Sequence, residues 1–359
     1  MVERRWDLRE PDAALVGRLS SELGISNVLA GLLVNRGIDD PKEASEWLKP
    51  KLSQLVDPYH LHGMEAAVQL LLKHLDAGHR VTVYGDYDVD GMTASSIVAR
   101  FLRSVGYAVH VFLPNRFRDG YGVNADRVGD LIDEGTRLFV TVDCGIRAVA
   151  QIAMAKERGA DFIILDHHQL GSQLPNADAI VNPHQPDCSF PFDGLCAAGL
   201  AFHLAMAMRM ELRRRGFFLD RPEPDLRELL DIVAIGTVAD VVPLRSINRV
   251  LVSQGLQRLR QSLHPGVRSL RALAGGTRVD AGTIGYQIGP RLNACGRLSH
   301  PFKGYELLAT NDPALAQGIA DEIDAENQRR KDVEKACLDQ ALEQAVKEQG
   351  EKAPAYVLW

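Results

Sequence analysis

The sequence predicts an α/β fold: a parallel sheet flanked by helices, followed by a helical region and a long connecting helix. Three observations carry this. Short apolar runs at 81–86, 108–113, 138–143 and 161–165 alternate with helix-length amphipathic segments, the rhythm of βαβ units covered on both faces. Acidic or histidine residues stand at the ends of several of those runs, where ligands of open α/β sheets gather. Beyond about residue 195 helical spacing replaces the strand pattern.

In chain order, residues 1–60 read as a helical N-terminal arm, with a short helix over 43–48 ended by Pro50. An amphipathic helix over 63–77 places Ala67, Leu70, Leu71 and His74 on one side. The four apolar runs follow as strands, with a shorter strand at 178–181 and helices at 92–105, 124–134 and 147–158. Helices are then expected over 196–215, 226–239, 247–262, 266–274 and 280–288. A last helix runs from Pro313 to Gln349, with Leu315, Ile319, Ile323, Val333 and Cys337 at helical spacing and charge elsewhere. That pattern describes a partly exposed, bridging helix. Ala353 to Trp359 reads as the first half of a strand. The expected units are an arm over 1–60, an α/β domain over 61–245, a helical extension over 246–305, a connecting helix over 306–350 and the start of a second domain over 351–359.

Composition narrows the function. Hydrophobic residues are 46% and charged residues 25% of 359, as in an ordinary globular protein. The net charge of −6 argues against a broadly basic, nucleic-acid-coating surface, though not against a local basic groove. No stretch reaches transmembrane length, and Met1 to Trp6 lacks the apolar core of a signal peptide. The five cysteines are scattered without a C-x-x-C pair and read as reduced thiols in the cytoplasm.

The chemistry concentrates in four places. The first is Gly85-Asp86-Tyr87-Asp88-Val89-Asp90-Gly91. In an extended chain its alternate carboxylates share one face and raise each other's pKa, which makes sense around a cation. The alternatives are a solvated acidic turn or a calcium loop. The second is Asp143 in Val142-Asp143-Cys144-Gly145, which could equally cap a helix. The third is Asp166-His167-His168, and the fourth is Asp240 within the apolar stretch 236–244, where an unpaired carboxylate would be costly. Taken jointly, about five carboxylates and one or two imidazoles suit two divalent ions, with Mn²⁺ favoured over Mg²⁺ alone. Two such ions serve in-line displacement at phosphorus.

A second constellation is basic. Arg116, Arg118 and Tyr121 lie on a Pro/Gly-rich loop past a strand end; guanidinium forks match phosphate oxygens and aromatic rings stack on unpaired bases. Arg291, Asn293 and Arg297 lie between glycines in 289–298, a composition that allows close backbone approach to a phosphate chain. The alternatives are an ordinary surface loop and a helix–turn connection with exposed arginines. Arg213-Arg214-Arg215 ends a helix and answers its dipole.

In order and spacing these four acidic motifs resemble those of the DHH phosphoesterase superfamily. The stretches 113–122 and 289–298 resemble its RecJ-type single-strand-specific 5′→3′ exonucleases. The likeness runs from about residue 60 to 350, and the chain reads as ending at the first strand of the family's second domain. The resemblance implies metal ligands at Asp88, Asp90, Asp143, His167 and Asp240, with Asp143 as the bridge and Asp86 a ligand or close neighbour. It implies that His168 contacts the scissile phosphate, that Asp166 orients the histidines, and that Arg116 and Tyr121 flank the 5′ end. The activity implied is hydrolysis of single-stranded DNA with two Mn²⁺ or Mg²⁺ ions, in repair and recombination. The implied setting is a monomer working with a single-strand-binding protein or helicase. Two other readings stand beside it: a DHH enzyme for small phosphates or short oligonucleotides, and a non-catalytic DHH scaffold. The intact ligand positions argue against the scaffold.

Overall fold

Five parallel strands form one sheet in the order β2-β1-β3-β4-β5 in the computed structural model of the chain, which describes residues 7–349, with side chains through Ala345. They are β1 (Arg80–Gly85), β2 (His110–Phe112), β3 (Thr136–Val142), β4 (Asp161–Leu165) and β5 (Ala179–Val181). The register decides where function can sit. Gly85 pairs with Val142, Val142 with Leu165, and Leu165 with Val181. The strands therefore finish level, and Asp86, Asp143, Asp166 and Asn182 leave the sheet along one edge.

Alternation buries both faces, as expected of a parallel sheet. Val81, Val83, Leu138, Val140, Val142, Ile163 and Leu165 face the larger core, shared with α4 (Met64–Asp76), α5 (Val89–Ser104) and α8 (Ala197–Arg214). Tyr84, Phe139, Phe162 and Ile164 face the smaller one, covered by α6 (Ala125–Asp133) and α7 (Val149–Glu157). There Phe139 and Phe162 stack with centroids 4.8 Å apart.

The N-terminal arm is α1 (Ala13–Leu23), α2 (Asn27–Val34) and α3 (Pro41–Leu48), around a small core of Leu19, Ala30, Leu33, Ile38 and Ala44. It is tied to the body by Arg249, whose guanidinium lies 4.3 Å over the Trp47 ring and donates to the Trp47 carbonyl at 2.7 Å.

After α8 come a 3₁₀ turn (Leu226–Leu229), α9 (Leu230–Ala239), α10 (Ser246–Arg260), α11 (Pro265–Ala274), a short turn α12 (Ala281–Thr283), a π-helical segment (Ile284–Ile288), α13 (Gly289–Leu298), α14 (Phe302–Ala309) and α15 (Pro313–Gln349). The helix expected over 280–288 is thus a short turn and a π segment. In α15, Ala316, Ile319, Ala320 and Ile323 are buried, whereas Val333 and Cys337, expected on the same stripe, are exposed. The strand start expected over 353–359 lies outside the described residues. No helix among the described residues is long and apolar enough to cross a membrane.

Candidate metal centre

The acidic run does not stay extended, contrary to the sequence reading. The strand ends at Gly85 and α5 begins at Val89, so the carboxylates converge through a strand-to-helix turn. Asp88 caps α5, its Oδ1 accepting from the N–H groups of Asp90 at 2.9 Å and Gly91 at 3.1 Å. A Cβ on Gly91 would fall 2.4 Å from the Asp86 carbonyl oxygen, so only glycine lets the turn close this tightly. Asp90, fully buried, accepts from Ala197 N–H at 2.6 Å and Ala198 N–H at 2.9 Å, and so caps α8 from across the site.

Asp143 is not a helix cap. The next helix begins only at Val149, and Asp143 sits at φ +64°, a left-handed conformation that costs an L-residue on the order of 1 kcal/mol. Such strain persists at sites that use it; here the kink follows the strand edge directly, with the Asp143 N–H held by the Leu165 carbonyl at 3.0 Å. His167 Nε2 lies 3.1 Å from Asp143 Oδ1 and 3.7 Å from both Asp90 Oδ2 and Asp240 Oδ2.

Asp240 stands at the C-terminal end of α9, directly after the helix expected over 226–239. A carboxylate at the negative end of a helix dipole is disfavoured unless a cation answers it. Its Oδ2 and the Oδ1 of Asp86 are buried and have no hydrogen-bond partner among the described residues.

The acidic and imidazole groups form three overlapping clusters: Asp86, Asp88 and Asp143; Asp90, His167 and Asp240; and Asp143, His167 and His168. Within each, one donor atom per residue lies within 4.8 Å of the others. Burial, then the Asp88 charge, pushes both Asp86 and Asp90 up to about 7. Burial, then Asp90, pushes Asp240 up to about 8, and burial with four neighbouring carboxylates raises Asp143 well above its ordinary value. Burial, then its neighbour His168, lowers His167 to about 4, leaving it neutral and able to ligate. These shifts describe a cage that repels its own charge and suits a multivalent cation.

Asp166 plays a different part. Its Oδ1 accepts from His168 Nδ1 at 2.7 Å and His168 N–H at 3.0 Å, and its Oδ2 accepts from Ile146 N–H at 3.0 Å. Burial works against its charge, but the His168 bond and the backbone donors outweigh it and hold the carboxyl below its usual value. In return Asp166 raises the His168 pKa.

The rim is aromatic and basic. Tyr121 Oη lies 3.4 Å from His168 Nε2, and the Tyr121 ring meets the Tyr87 ring edge-to-face at 6.1 Å. Arg116 is exposed and places its guanidinium 4.9 Å over the Tyr87 ring. Its loop is firm: Asp119 accepts from Asn115 N–H at 2.7 Å and from Arg127 Nε at 2.8 Å, and Asn115 donates to the Ser299 carbonyl at 3.1 Å.

The 289–298 stretch is a helix and not a glycine loop. A Cβ on Gly296 would fall 2.5 Å from the Tyr87 carbonyl oxygen, so this glycine serves packing of α13 on the acidic turn and not approach to a phosphate. Arg291 is 9% exposed, and its donors go to Asp324 at 2.7 Å, the Gln287 carbonyl at 2.8 Å and the Leu273 carbonyl at 3.2 Å. Those partners tie it to the scaffold, whereas the sequence places it at the DNA interface. Asn293 is half-buried on the same helix, while Arg297 is exposed and, like Arg116, makes no ion pair among the described residues. Two further residues escaped the sequence reading. Asn182, fully buried, donates to the His168 carbonyl at 2.9 Å; the strand-end rule that found its neighbours would have found it. Tyr87 lies within the acidic run, but nothing local announces its ring contacts.

The family description "DHH family, N-terminal domain" matches residues 80–237. A Bacillus subtilis (strain 168) protein named single-stranded-DNA-specific exonuclease RecJ is 38% identical over 99% of this chain and 44% of its own length. A structure of exonuclease RecJ bound to manganese superposes with a TM-score of 0.73 at 37% identity, covering 82% of this chain and 72% of that one. RecJ from Thermus thermophilus in complex with Mn²⁺ gives a TM-score of 0.80 at 35% identity, covering 94% of this chain and 47% of that one. The chain spans about half the length of the curated relatives it matches. A family match over 80–237 and a RecJ structure 37% identical and covered over 72% of its length show that the chain belongs to the DHH family, in its RecJ group.

Proposed function

We propose that this chain carries the phosphodiester-hydrolysing centre of a metal-dependent nuclease that removes nucleotides from the 5′ end of single-stranded DNA, in repair and recombination. The observation that carries the reading is the set of overlapping donor clusters sharing Asp143 and His167, beside an exposed arginine on an aromatic shelf. The orphaned oxygens of Asp86 and Asp240 fit a divalent cation. Asp86, Asp88, Asp90, Asp143, His167 and Asp240 would hold two such ions, Mn²⁺ or Mg²⁺, with Asp143 between them; the imidazole favours Mn²⁺. When bound, such ions stabilise charge on the attacking and leaving oxygens of an in-line displacement.

The protein's own groups supply the rest. Asp166 accepts from His168 Nδ1–H and raises the His168 pKa, which favours the imidazolium whose Nε2–H donates toward the site, where a phosphate oxygen gains negative charge. Arg116 offers a guanidinium to the terminal phosphate, and Tyr121 offers a ring face to a base. Arg297 is assigned to the strand's backbone, Asn293 to its margin, and Arg291 to the scaffold. The α/β unit over 61–245 would be catalytic, with 246–305 as its extension and 306–350 as a connector. A monomer acting in the cytoplasm beside a single-strand-binding protein or helicase belongs to the same proposal.

A second reading, hydrolysis of small phosphates or very short oligonucleotides, is favoured by a hollow beside His168 lined by Tyr121, Ile146, Arg147 and Gln151. Digestion of 5′- and 3′-labelled single strands, duplex and a dinucleotide, with and without Mn²⁺, separates the two. Early release of the 5′ label from single strands supports the nuclease. Turnover of the dinucleotide alone moves the assignment to the second reading.

A further inference from the structure

The acidic run does more than gather carboxylates. Tyr87 stands between Asp86 and Asp88, and its ring touches both recognition residues of the neighbouring loop. The Arg116 guanidinium lies 4.9 Å above it, and Tyr121 meets it edge-to-face at 6.1 Å. Tyr121 in turn reaches His168 Nε2 at 3.4 Å. On its other side the Tyr87 carbonyl is pressed against Gly296 of α13, the helix that carries Arg297. One residue therefore joins the carboxylate turn, the Arg116 loop and α13. Nothing else among the described residues fixes the Arg116 side chain: it enters no ion pair and donates no hydrogen bond, so the ring face is its one anchor.

We propose that Tyr87 is a positioning residue that presents Arg116 to the 5′-terminal phosphate through its ring face, so that the turn holding the acidic residues also sets recognition of the strand's end. The proposal rests on the function proposed above. A free arginine samples many rotamers, and ordering it on arrival of the phosphate costs binding energy. Stacking on an aromatic face removes much of that cost in advance while leaving the N–H donors in the guanidinium plane open to phosphate oxygens. The device needs the ring and not the hydroxyl, because it is the face of the π system that attracts the cation.

The test compares Tyr87→Phe, Tyr87→Leu, Arg116→Ala and the double variant Tyr87→Leu/Arg116→Ala. Binding of 3′-labelled single strands carrying a 5′-phosphate or a 5′-hydroxyl is measured by anisotropy in EDTA, and Mn²⁺ binding by calorimetry. Tyr87→Phe is expected to match the wild type. Tyr87→Leu should lose about three- to tenfold in affinity for the phosphorylated strand, the range of a partly desolvated cation–π contact, with little change for the hydroxyl strand. Its Mn²⁺ affinity and thermal midpoint should stay near wild type, which separates positioning from misfolding. The double variant should discriminate no less than Arg116→Ala alone, because Tyr87 acts through Arg116. The proposal is overturned if Tyr87→Leu weakens both strands equally, if Tyr87→Phe fails as Leu does, if the two losses simply add, or if the wild type shows no preference for a 5′-phosphate. Failure of the wild type to hydrolyse any strand with Mn²⁺ would instead sink the proposed function, and the binding comparison would still report on Tyr87.

Discussion

His167 Nε2 lies 3.1 Å from Asp143 Oδ1, and these two residues are the ones shared between donor clusters. The contact joins two strand ends: Asp143 follows β3 and His167 follows β4, which the Val142–Leu165 register brings level. A pairing one residue out of step would separate the two clusters.

Asp143→Ala should abolish hydrolysis and lower Mn²⁺ occupancy below that of the wild type. A bridging carboxylate offsets the repulsion between two cations, and its loss leaves that repulsion uncompensated. Calorimetric stoichiometry together with turnover on a single strand checks this. Asp143→Asn keeps a side chain that tolerates φ near +64°, so it should fold as well as the wild type while still losing activity.

His168→Ala should keep Mn²⁺ binding while losing rate. A donor aimed at developing phosphate charge is worth on the order of 3 kcal/mol, a fall of about a hundredfold or more in kcat. Asp166→Asn should give part of the same loss, because it removes the carboxylate that orients His168 and favours its protonated, donating form. A collapse of metal affinity in His168→Ala would make it a ligand, as its place in the Asp143–His167 cluster allows.

The strands were legible because runs such as Leu138-Phe-Val-Thr-Val142 are apolar enough to be buried on both faces. Their ends were read one residue late at Asp86 and Asp143, which fall just outside the ladder. The gathering of the acidic and histidine residues was legible because charge in apolar surroundings demands an explanation. What stayed hidden depends on distant partners. Arg291 reads as a free cation until Asp324, 33 residues away, is placed beside it. The 289–298 stretch reads as a phosphate approach because Gly296 gives no local sign that it serves packing against the Tyr87 carbonyl.

Without metal, the chain should lose thermal stability as pH rises. Asp86 and Asp90, moved from 3.8 to about 7, and Asp240, moved to about 8, hold protons in the folded state that the unfolded chain releases near pH 4. Unfolding therefore becomes easier with rising pH across that window. His167, lowered to about 4 from 6.5, opposes this below pH 6.5, since there the unfolded chain takes up a proton that the folded one refuses. The decline should be clearest from about pH 6.5 to 8, where His167 no longer counteracts it. Mn²⁺ should displace the bound protons and protect most at the upper end. Thermal midpoints with EDTA and with Mn²⁺ at several pH values test this; a flat EDTA profile would contradict the raised carboxylates.

The arginines should separate into two kinds. Arg116 and Arg297 are exposed and make no ion pair among the described residues, as a phosphate-binding cation should be. Replacing either with alanine should leave the thermal midpoint unchanged and weaken single-strand binding. Each lost phosphate contact should also lower the slope of log affinity against log salt by about 0.7. Arg291→Ala should do the reverse. Its guanidinium bridges Asp324 on α15, the Leu273 carbonyl at the end of α11 and the Gln287 carbonyl in the π segment, so its loss leaves three acceptors without their donor. A cost of about 2 kcal/mol in stability is expected, tempered because Asp324 is partly exposed. The salt slope of binding in Arg291→Ala should match the wild type at temperatures where the variant is folded. Anisotropy titrations at several salt concentrations, run beside denaturation curves, decide the matter: a shallower slope with unchanged stability would return Arg291 to the strand-binding surface and place its bond to Asp324 second to a contact with DNA.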